Sequence, residues 1–350
     1  MDRRFSKGSF TWLVTGGAGF LGIHVCKYLI KKNQKVISYD IAQIPAQEKP
    51  SELLEVTADI RNNDELKKIV KGVDYVVHCA GALALATPEE IDSVNVKGTK
   101  SVLDVCVDYG VKRFVYISST AVYGMPKYHP IYEDAPLDPM GYYGVAKAKA
   151  EEHIRSVNDI EWIILRPKSF IGTGRLGIFQ ILFDWIESGR KIPILGNGEN
   201  IFQLLSVEDF TEAIYLSALY ATPNEIYNIG AKDFGTVNED VGAMLKEANT
   251  GARLFHFPSK PVKVILSMLE YLNLSPVYRW VYDTADQESY VSIAKAENDF
   301  GYSPVYSNQT TLIETYKWYL VEGKEMAKKH GTGHRVAWKQ GVLRVIKYLF

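Results

Sequence analysis

The first half of the chain alternates short apolar runs with longer stretches of helical length, and this alternation constrains the fold more than any other feature. The apolar runs are rich in β-branched and aromatic residues, which favours strands. They cover residues 10–15, 35–39, 75–79, 113–118 and 161–166, and the helical stretches cover residues 20–32, 63–70, 91–109 and 143–157. The alternation predicts right-handed βαβ crossovers and an α/β fold, a doubly wound parallel sheet with helices on both faces. Ligands of such sheets bind at the carboxyl ends of the strands.

The alternation ends near Gly172, where glycines begin to recur at short intervals and strand patterns become sparse. Helical patterns continue at residues 178–188 and 208–219. A chain of 350 residues also has about twice the length of an average domain. We therefore expect a sheet domain over residues 1–170, a smaller lobe over 171–330 with segments that return to the main sheet, and a terminal segment over 331–350.

The composition excludes several classes of protein. Hydrophobic residues make up 47% and charged residues 23%, which are globular values. The net charge of −1 argues against a chain-wide nucleic-acid surface. Nothing in the sequence resembles an export signal or an apolar membrane span. The three cysteines, Cys26, Cys79 and Cys106, lie far apart without metal-ligand spacing. We therefore expect a cytoplasmic protein with no metal site and no nucleic-acid partner.

The near-zero charge is an average over two unequal parts. Residues 321–350 carry seven Lys and Arg against two Glu, a net charge of +5, which leaves −6 on the other 320 residues. Apolar residues recur between Val342 and Phe350, so a basic amphipathic helix is predicted over residues 331–350. We favour its docking on the body or on a partner subunit. Contact with an anionic membrane surface is the alternative.

A glycine-rich segment, TGGAGFLG at residues 15–22, follows the first predicted strand and precedes the first helix. Glycines at this point allow a tight turn, close approach to a pyrophosphate and close packing of helix on sheet. The helix N-terminus then presents its amide groups to the phosphates. Asp40 ends the second strand about 20 residues later, where a carboxylate would bind ribose hydroxyls and repel a 2′-phosphate. These residues predict NAD rather than NADP as the cofactor.

A second set of residues suits proton transfer. Ser119 and Thr120 follow the strand at 113–118, and Tyr143 and Lys147 lie four apart on the helix that comes next. A free phenol has a pKa near 10, and a nearby ammonium favours the phenolate. We therefore expect Tyr143 to be the acid/base, Lys147 to lower its pKa and hold the ribose, and Ser119 to orient the reacting oxygen of a secondary alcohol.

Six motifs extend this pattern along the chain: TGGAGFLG at 15–22, HCAG at 78–81, NVKGT at 95–99, SSTAVYG at 118–124, YGVAK at 143–147 and LRP at 165–167. On these motifs the chain resembles the NAD-dependent epimerase/dehydratase family, the extended short-chain dehydrogenases, over roughly residues 10–320. The resemblance implies a Rossmann domain with a split C-terminal substrate domain, an NAD cofactor and a homodimer.

The resemblance also assigns residues. It implies that Ser119, Tyr143 and Lys147 are catalytic; Tyr142 is excluded because Ala146 stands four residues after it. The implied cofactor contacts, besides Tyr143 and Lys147, are Gly16, Gly19, Phe20, Leu21, Gly22, Asp40, Asp59, Ile60 and Ala80. From the residues alone, Asp59 is equally suited to cap the next helix.

The chain departs from the family's nucleotide-sugar enzymes at two positions. Many of them have an Asn where this chain has Ser169, and an Arg within the segment that corresponds to residues 196–203, which here contains none. A bidentate anchor for a diphosphate is therefore missing. Lys168, Arg175, Arg190 and Lys191 are the available replacements, although each is expected to be a surface charge. We expect substrate contacts from Thr120, Ser169 and Gln203.

Three functions follow from this pattern. The first is an NAD-dependent epimerase of a nucleotide sugar, favoured by the polar turn at 196–200 and the acidic helix start at 207–209. The second is a dehydrogenase of a 3β-hydroxysteroid-like or lipid alcohol, favoured by the missing Asn and Arg. The third is a non-catalytic NAD(P) sensor, which the retained Ser119, Tyr143 and Lys147 disfavour.

Overall fold

A parallel sheet organises the part of the chain that the structure, a computed structural model, describes: residues 8–271, 279–327 and 335. Within these residues the sheet has seven strands in the order β3-β2-β1-β4-β5-β6-β10, and every neighbouring pair is parallel. The strands of the chain are β1 (Thr11–Thr15), β2 (Lys35–Asp40), β3 (Leu54–Thr57), β4 (Tyr75–His78), β5 (Arg113–Ile117), β6 (Glu161–Pro167), β7 (Ser169–Ile171), β8 (Lys191–Leu195), β9 (Leu204–Ser206), β10 (Glu225–Ile229) and β11 (Arg253–Phe257).

Helices cover both faces of this sheet and build the second lobe. They are α1 (Phe20–Lys31), α2 (Asn63–Val70), α3 (Pro88–Ile91), α4 (Thr99–Asp108), α5 (Gly141–Arg155), α6 (Ile178–Glu187), α7 (Val207–Tyr220), α8 (Val237–Ala248), α9 (Ser259–Tyr271), α10 (Arg279–Thr284), α11 (Ala294–Phe300), α12 (Asn308–Trp318) and α13 (Lys324–Met326). The predicted α/β fold is confirmed. The helix predicted at 91–109 begins at Pro88 and contains a π-helical segment, Asp92–Gly98, between α3 and α4.

Alternate side chains of the central strand enter two different cores. Trp12 and Val14 of β1 pack on the side that holds α1 and α7, whereas Leu13 packs on the side that holds α2, α4 and α5. This is the two-residue period of a strand that is buried on both faces, as parallel sheets require. Strand order reverses between β1 and β4, and the crevice at that switch point lies at the carboxyl ends of the strands.

The second half of the chain forms a separate core around α6, α8 and α12, with the two-stranded pairs β8–β11 and β7–β9 beside it. One strand from this half, β10, joins the main sheet next to β6. The backbone amide of Lys168, directly after β6, donates to the carbonyl of Ile229 at the end of β10, at 2.8 Å. The chain therefore leaves the sheet and returns to it at adjacent points. The domain boundaries at residues 170 and 330 stay predictions.

The predicted terminal helix over 331–350 lies outside the described residues, apart from Arg335. Among the helices that the structure describes, none combines the length and the apolar character needed to cross a bilayer.

Candidate active site

The backbone of the glycine turn packs so closely against its neighbours that Gly16 and Gly22 leave no room for a side chain. Gly16 has φ +69°, and a Cβ on it would lie 2.7 Å from the amide nitrogen of Ala80. A Cβ on Gly22 would lie 2.0 Å from the carbonyl oxygen of Gly16, so the first turn of α1 rests directly on the loop. Gly19 differs: among the described residues its Cβ would meet only the Gly16 oxygen, at 3.1 Å. The protein leaves that side of the turn open, as a bound pyrophosphate requires.

The helix end beside this opening is suited to an anion. Gly19 is the N-cap of α1, and no side chain caps the helix. Phe20, Leu21 and Gly22 form its first turn, where amide groups lack partners within the helix. An open glycine turn next to an uncapped helix N-terminus fits the diphosphate of a dinucleotide. These residues and Gly16 stay predicted cofactor contacts.

Asp40 connects the second strand to the glycine turn. Its Oδ2 accepts from the amide of Ala18 at 3.0 Å, and its Oδ1 accepts from the amide of Ala42 at 2.9 Å. The carboxylate is therefore at the end of β2 beside the turn, where the ribose of a dinucleotide is expected. The bond to Ala42 caps the turn that follows β2, a role that the sequence also allows for Asp40, and the bond to Ala18 supports the glycine turn.

The residues predicted around the adenine differ in their surroundings. The Asp59 carboxylate is bound by Arg61, with Oδ1 2.9 Å from Nε, and hydrogen bonding to Arg61 lowers the pKa of Asp59. Ile60 is buried against Gly98, on which a Cβ would lie 2.7 Å from Ile60 Cδ1. Ala80 lies against Gly16 at the switch point. Ile60 and Ala80 can thus supply apolar contact, whereas the Asp59 charge is already balanced by Arg61.

Lys147 stands at the centre of the reacting end. It is buried on α5, and its Nζ donates to the carbonyl of Ile117 at the end of β5, at 2.7 Å. The same nitrogen is 5.8 Å from the ring centre of Tyr143 and 4.8 Å from that of Tyr116. A Cβ on Gly81, just after β4, would lie 3.8 Å from it. Burial lowers the pKa of Lys147 to about 8, so the ammonium is held where its charge acts strongly on its neighbours.

Ser119 and Tyr143 border the same crevice. Ser119 follows β5 directly and is half-buried, and its Oγ accepts from the amide of Ala121 at 3.1 Å. This bond uses the hydroxyl oxygen as an acceptor and leaves its hydrogen for a ligand. Tyr143 is also half-buried, whereas Tyr142 is 68% exposed. The arrangement can position an alcohol oxygen near Ser119 and a phenol next to a buried ammonium.

A buried ion pair below these residues was not predicted. Glu151 is 0% exposed on α5, and Arg166 of β6 is 2% exposed. Arg166 Nη2 donates to Glu151 Oε2 at 2.6 Å, and its Nε donates to Oε1 at 3.0 Å. The hydroxyl of Ser118 also donates to Oε1, at 2.5 Å. Glu151 therefore fixes α5 against the ends of β5 and β6. Its position four residues after Lys147, on the same helix face, was the signal that could have revealed it.

The expectation that Lys168 is a surface charge is wrong. The residue is 3% exposed, and its Nζ donates to the hydroxyl of Ser289 at 2.5 Å. It lines a pocket whose walls also include Thr120, His129 and Glu288. Lys168 is buried because the segment around residue 289 covers the end of β6.

The other replacement cations lie elsewhere. The Arg175 guanidinium is 5.3 Å from the ring centre of Phe20, so it lies close to the start of α1. Arg190 directly precedes β8, and Lys191 is the first residue of β8, in the second lobe.

Arg335, which was not among these predicted cations, reaches the glycine turn. Its Nη2 is 2.5 Å from the Glu48 carboxylate, and its Nη1 is 3.4 Å from the carbonyl of Ala18.

The predicted substrate residues fall into two groups. Thr120 lines the pocket beside Ser119, and Ser169 is half-buried at the start of β7. Gln203 is fully buried; its Nε2 donates to the carbonyl of Ala231 at 2.7 Å, and its Oε1 accepts from the amide of Val291 at 2.9 Å. These bonds give Gln203 a structural role, because they link it to the segments around Ala231 and Val291 in the second half of the chain.

Comparison with known proteins agrees with this architecture. An uncharacterised protein of Sinorhizobium fredii is 34% identical over 97% of this chain and 86% of its own length. A putative UDP-glucose 4-epimerase of Methanocaldococcus jannaschii is 34% identical over 65% of this chain and 79% of its own length. The sterol-4-alpha-carboxylate 3-dehydrogenase of Mus musculus is 27% identical, over 86% and 89% of the two chains.

Solved structures share the fold at lower identity. UDP-glucose 4-epimerase of Thermotoga maritima with UDP-glucose superposes with a TM-score of 0.74 at 23% identity, over 89% of this chain and 99% of the other. UDP-glucuronic acid 4-epimerase of Bacillus cereus in complex with NAD superposes with a TM-score of 0.72 at 22% identity, over 88% of this chain and 98% of the other. The model of the NAD dependent epimerase/dehydratase family matches residues 12–230, from β1 to the end of β10. The chain therefore belongs to this family, the extended short-chain dehydrogenases, and is an NAD-dependent enzyme.

Proposed function

We propose that this enzyme is an epimerase of a nucleotide sugar. The observation that carries the proposal is the placement of Lys147 at the carboxyl end of β5, with its ammonium next to the carbonyl of Ile117 and the ring of Tyr143. Relatives named as UDP-glucose 4-epimerases support the choice of a nucleotide sugar and of epimerisation. NAD held at the glycine turn would supply a hydride acceptor for the carbinol carbon and, once reduced, the donor that returns the hydride.

The side chains of this protein handle the proton and the geometry. Tyr143 takes the proton of the sugar hydroxyl as the carbon is oxidised and returns it when the carbonyl is reduced. The Lys147 ammonium stabilises the phenolate of Tyr143 electrostatically, because the ammonium is buried and lies 5.8 Å from the centre of the Tyr143 ring. Ser119 donates its hydroxyl hydrogen to the reacting oxygen and holds it in place.

The cofactor is held by the residues around the turn. In this proposal the amides at the start of α1 bind the diphosphate, Lys147 and Tyr143 hold the ribose next to the nicotinamide, and Asp40 holds the other ribose. Because the Asp40 carboxylate would repel a 2′-phosphate, the site selects NAD over NADP.

A dehydrogenase of a lipid alcohol is the second candidate. It is favoured by Ser169, which replaces the diphosphate-facing Asn, and by the absence of Arg from residues 196–203. The mouse relative, a sterol dehydrogenase by name, belongs to this class. Such an enzyme would release NADH with each product, whereas an epimerase regenerates NAD.

One experiment separates these functions. The protein is incubated with NAD and a panel of UDP-, GDP- and dTDP-sugars and hydroxysteroids, and both product stereochemistry and NADH absorbance are followed. Inverted product without net NADH is the expected result. Net NADH with a hydroxysteroid would assign the dehydrogenase, and no turnover of any compound would leave the NAD(P) sensor.

We further propose that the enzyme works in the cytoplasm as a homodimer, with residues 331–350 docked on the protein rather than on a membrane. The contacts of Arg335 with Glu48 and Ala18 support such docking. Light scattering after gel filtration tests the dimer. Deletion of residues 331–350 should leave co-sedimentation with anionic vesicles unchanged, and a clear drop would favour the membrane contact.

A further inference from the structure

We propose that Lys168 and His129 form an anion-binding subsite, and that the substrate carries a carboxylate next to the carbon that reacts. The inference rests on the proposed function, because it assigns a class of substrate to the same site. Both side chains line one pocket at the carboxyl end of β6, together with Thr120 and Ser289. None of the family motifs in the sequence includes either residue.

Lys168 is an uncompensated charge within this pocket. Its Nζ donates to the neutral hydroxyl of Ser289 and is 5.1 Å from the ring centre of Phe202. Among the residues that the structure describes, no carboxylate forms an ion pair with it. Glu288 lies in the same pocket but is exposed, and its Oε2 accepts from the amide of Ile201 at 3.1 Å.

A buried ammonium without a counter-ion is costly, and a ligand that supplies the negative charge removes this cost. Burial lowers the pKa of Lys168 to about 7, so the pocket disfavours the ammonium until a ligand supplies a negative charge. An apolar residue would fill the same space without the free-energy cost of burying a charge. A negatively charged ligand that binds the ammonium therefore explains best why a lysine is buried here.

His129 supplies a second nitrogen to the pocket. Its Nε2 is fully buried and has no hydrogen-bond partner among the described residues, although buried polar atoms are nearly always paired. The ring lies against Tyr290, with the centres 5.0 Å apart. Burial and then the charge of Lys168 lower the pKa of His129, so the ring is neutral and can donate a single N–H from Nε2.

The position of the pocket favours a carboxylate near the reacting carbon over the diphosphate of a nucleotide sugar. Its walls include Thr120 and Ala121, which directly follow Ser119, so an anion bound there lies beside the reacting oxygen. In a hexose that reacts at C4, the diphosphate at C1 lies across the ring, whereas a carboxylate on C5 is adjacent. An ammonium and an imidazole N–H supply two donors to this pocket, one for each oxygen of that carboxylate.

The test compares UDP-glucuronic acid with UDP-glucose, which differ at this group. Dissociation constants for both are measured by calorimetry on NAD-loaded protein, for the wild type and for Lys168→Met, His129→Phe and Lys127→Met. Lys127 is an exposed lysine two residues from His129 and is the matched control. Melting temperatures verify that each variant is folded, and Met is expected to be tolerated because it fills the space of a buried lysine stem.

Wild-type protein should bind UDP-glucuronic acid more tightly than UDP-glucose. Lys168→Met should reduce this preference by roughly 10- to 100-fold, the usual range for a charge-assisted hydrogen bond, and His129→Phe by a smaller factor. Lys127→Met should retain the wild-type preference. An equal loss of affinity for both sugars would overturn the carboxylate and assign Lys168 to the diphosphate, and no preference in the wild type would overturn the subsite altogether. Turnover of UDP-glucose without such a preference would leave the proposed epimerase intact.

Discussion

Replacement of Arg166 by Met will leave Glu151 as a buried carboxylate without its cation. The wild-type guanidinium makes two bonds to Glu151, at 2.6 and 3.0 Å, and a third to the hydroxyl of Tyr123 at 2.8 Å. Both charged groups are almost completely excluded from water. Breaking a buried pair by removing one member costs about 3–5 kcal/mol. We expect a loss of unfolding free energy of this order.

The expected change in melting temperature follows from the size of the chain. Unfolding entropy near 60 °C is about 2.1 cal/mol/K per residue, so a cooperative unit of this length has about 0.7 kcal/mol/K. The loss should therefore lower Tm by about 4–7 °C in calorimetry. The double variant Glu151→Leu with Arg166→Met should recover most of this, because apolar side chains replace the pair without leaving a buried charge.

Two results would refute this reasoning. A Tm within about 1 °C of the wild type for Arg166→Met would mean that water or another group neutralises Glu151. A double variant no more stable than Arg166→Met alone would mean that the pair stabilises the fold beyond mutual compensation of charge. Urea titration of all four proteins gives the coupling energy directly.

Three further changes test the active site. Tyr143→Phe should reduce turnover by at least about 100-fold, whereas NAD affinity should fall by a much smaller factor because the phenol is one of several cofactor contacts. Tyr142→Phe, the exposed neighbour, should remain active, and wild-type turnover by Tyr143→Phe would remove Tyr143 from the mechanism. Gly22→Ala places a Cβ 2.0 Å from a carbonyl oxygen of the turn, so NAD affinity measured by calorimetry should fall sharply, and wild-type affinity would contradict the tight packing. Because the pKa of Lys147 is lowered from 10.5 to about 8, its burial penalty is fully present below pH 8 and disappears as the pH approaches 10.5. Between pH 7 and 10.5, the unfolding free energy of the wild type should therefore rise by roughly 3 kcal/mol relative to that of Lys147→Met, as measured by urea titration. A difference that stays constant with pH would refute the charged state of this lysine.

The main sheet was predictable because its signals are local. Strands such as β1 and β5 are continuous apolar runs, and each differs from its predicted bounds by one residue at one end. Strand β10 was not assigned, since its pairing with β6 joins residues far apart in sequence. The π-helical segment Asp92–Gly98 has no distinct pattern of its own, so that stretch looked like one continuous helix.

The site residues were predictable where their spacing in the sequence alone places their side chains together. Tyr143 and Lys147 lie four apart, which places them on one helix face in any context. The roles of Glu151 and Lys168 depend instead on burial. Lysine is rarely buried, so a surface position was the natural expectation for Lys168. Its burial comes from Ser289, which is 121 residues away and whose position no local pattern indicates.

The bond between the Lys168 amide and the Ile229 carbonyl continues the ladder between β6 and β10 by one residue, so the backbone of Lys168 is held by the sheet itself. The segment between these strands is tied to the sheet a second time, because α7 packs on the side that also holds Trp12 and Val14. Side chains carried by strands are placed more accurately than side chains carried by loops. The position of the Lys168 ammonium is therefore set by the sheet rather than by the loops around the pocket.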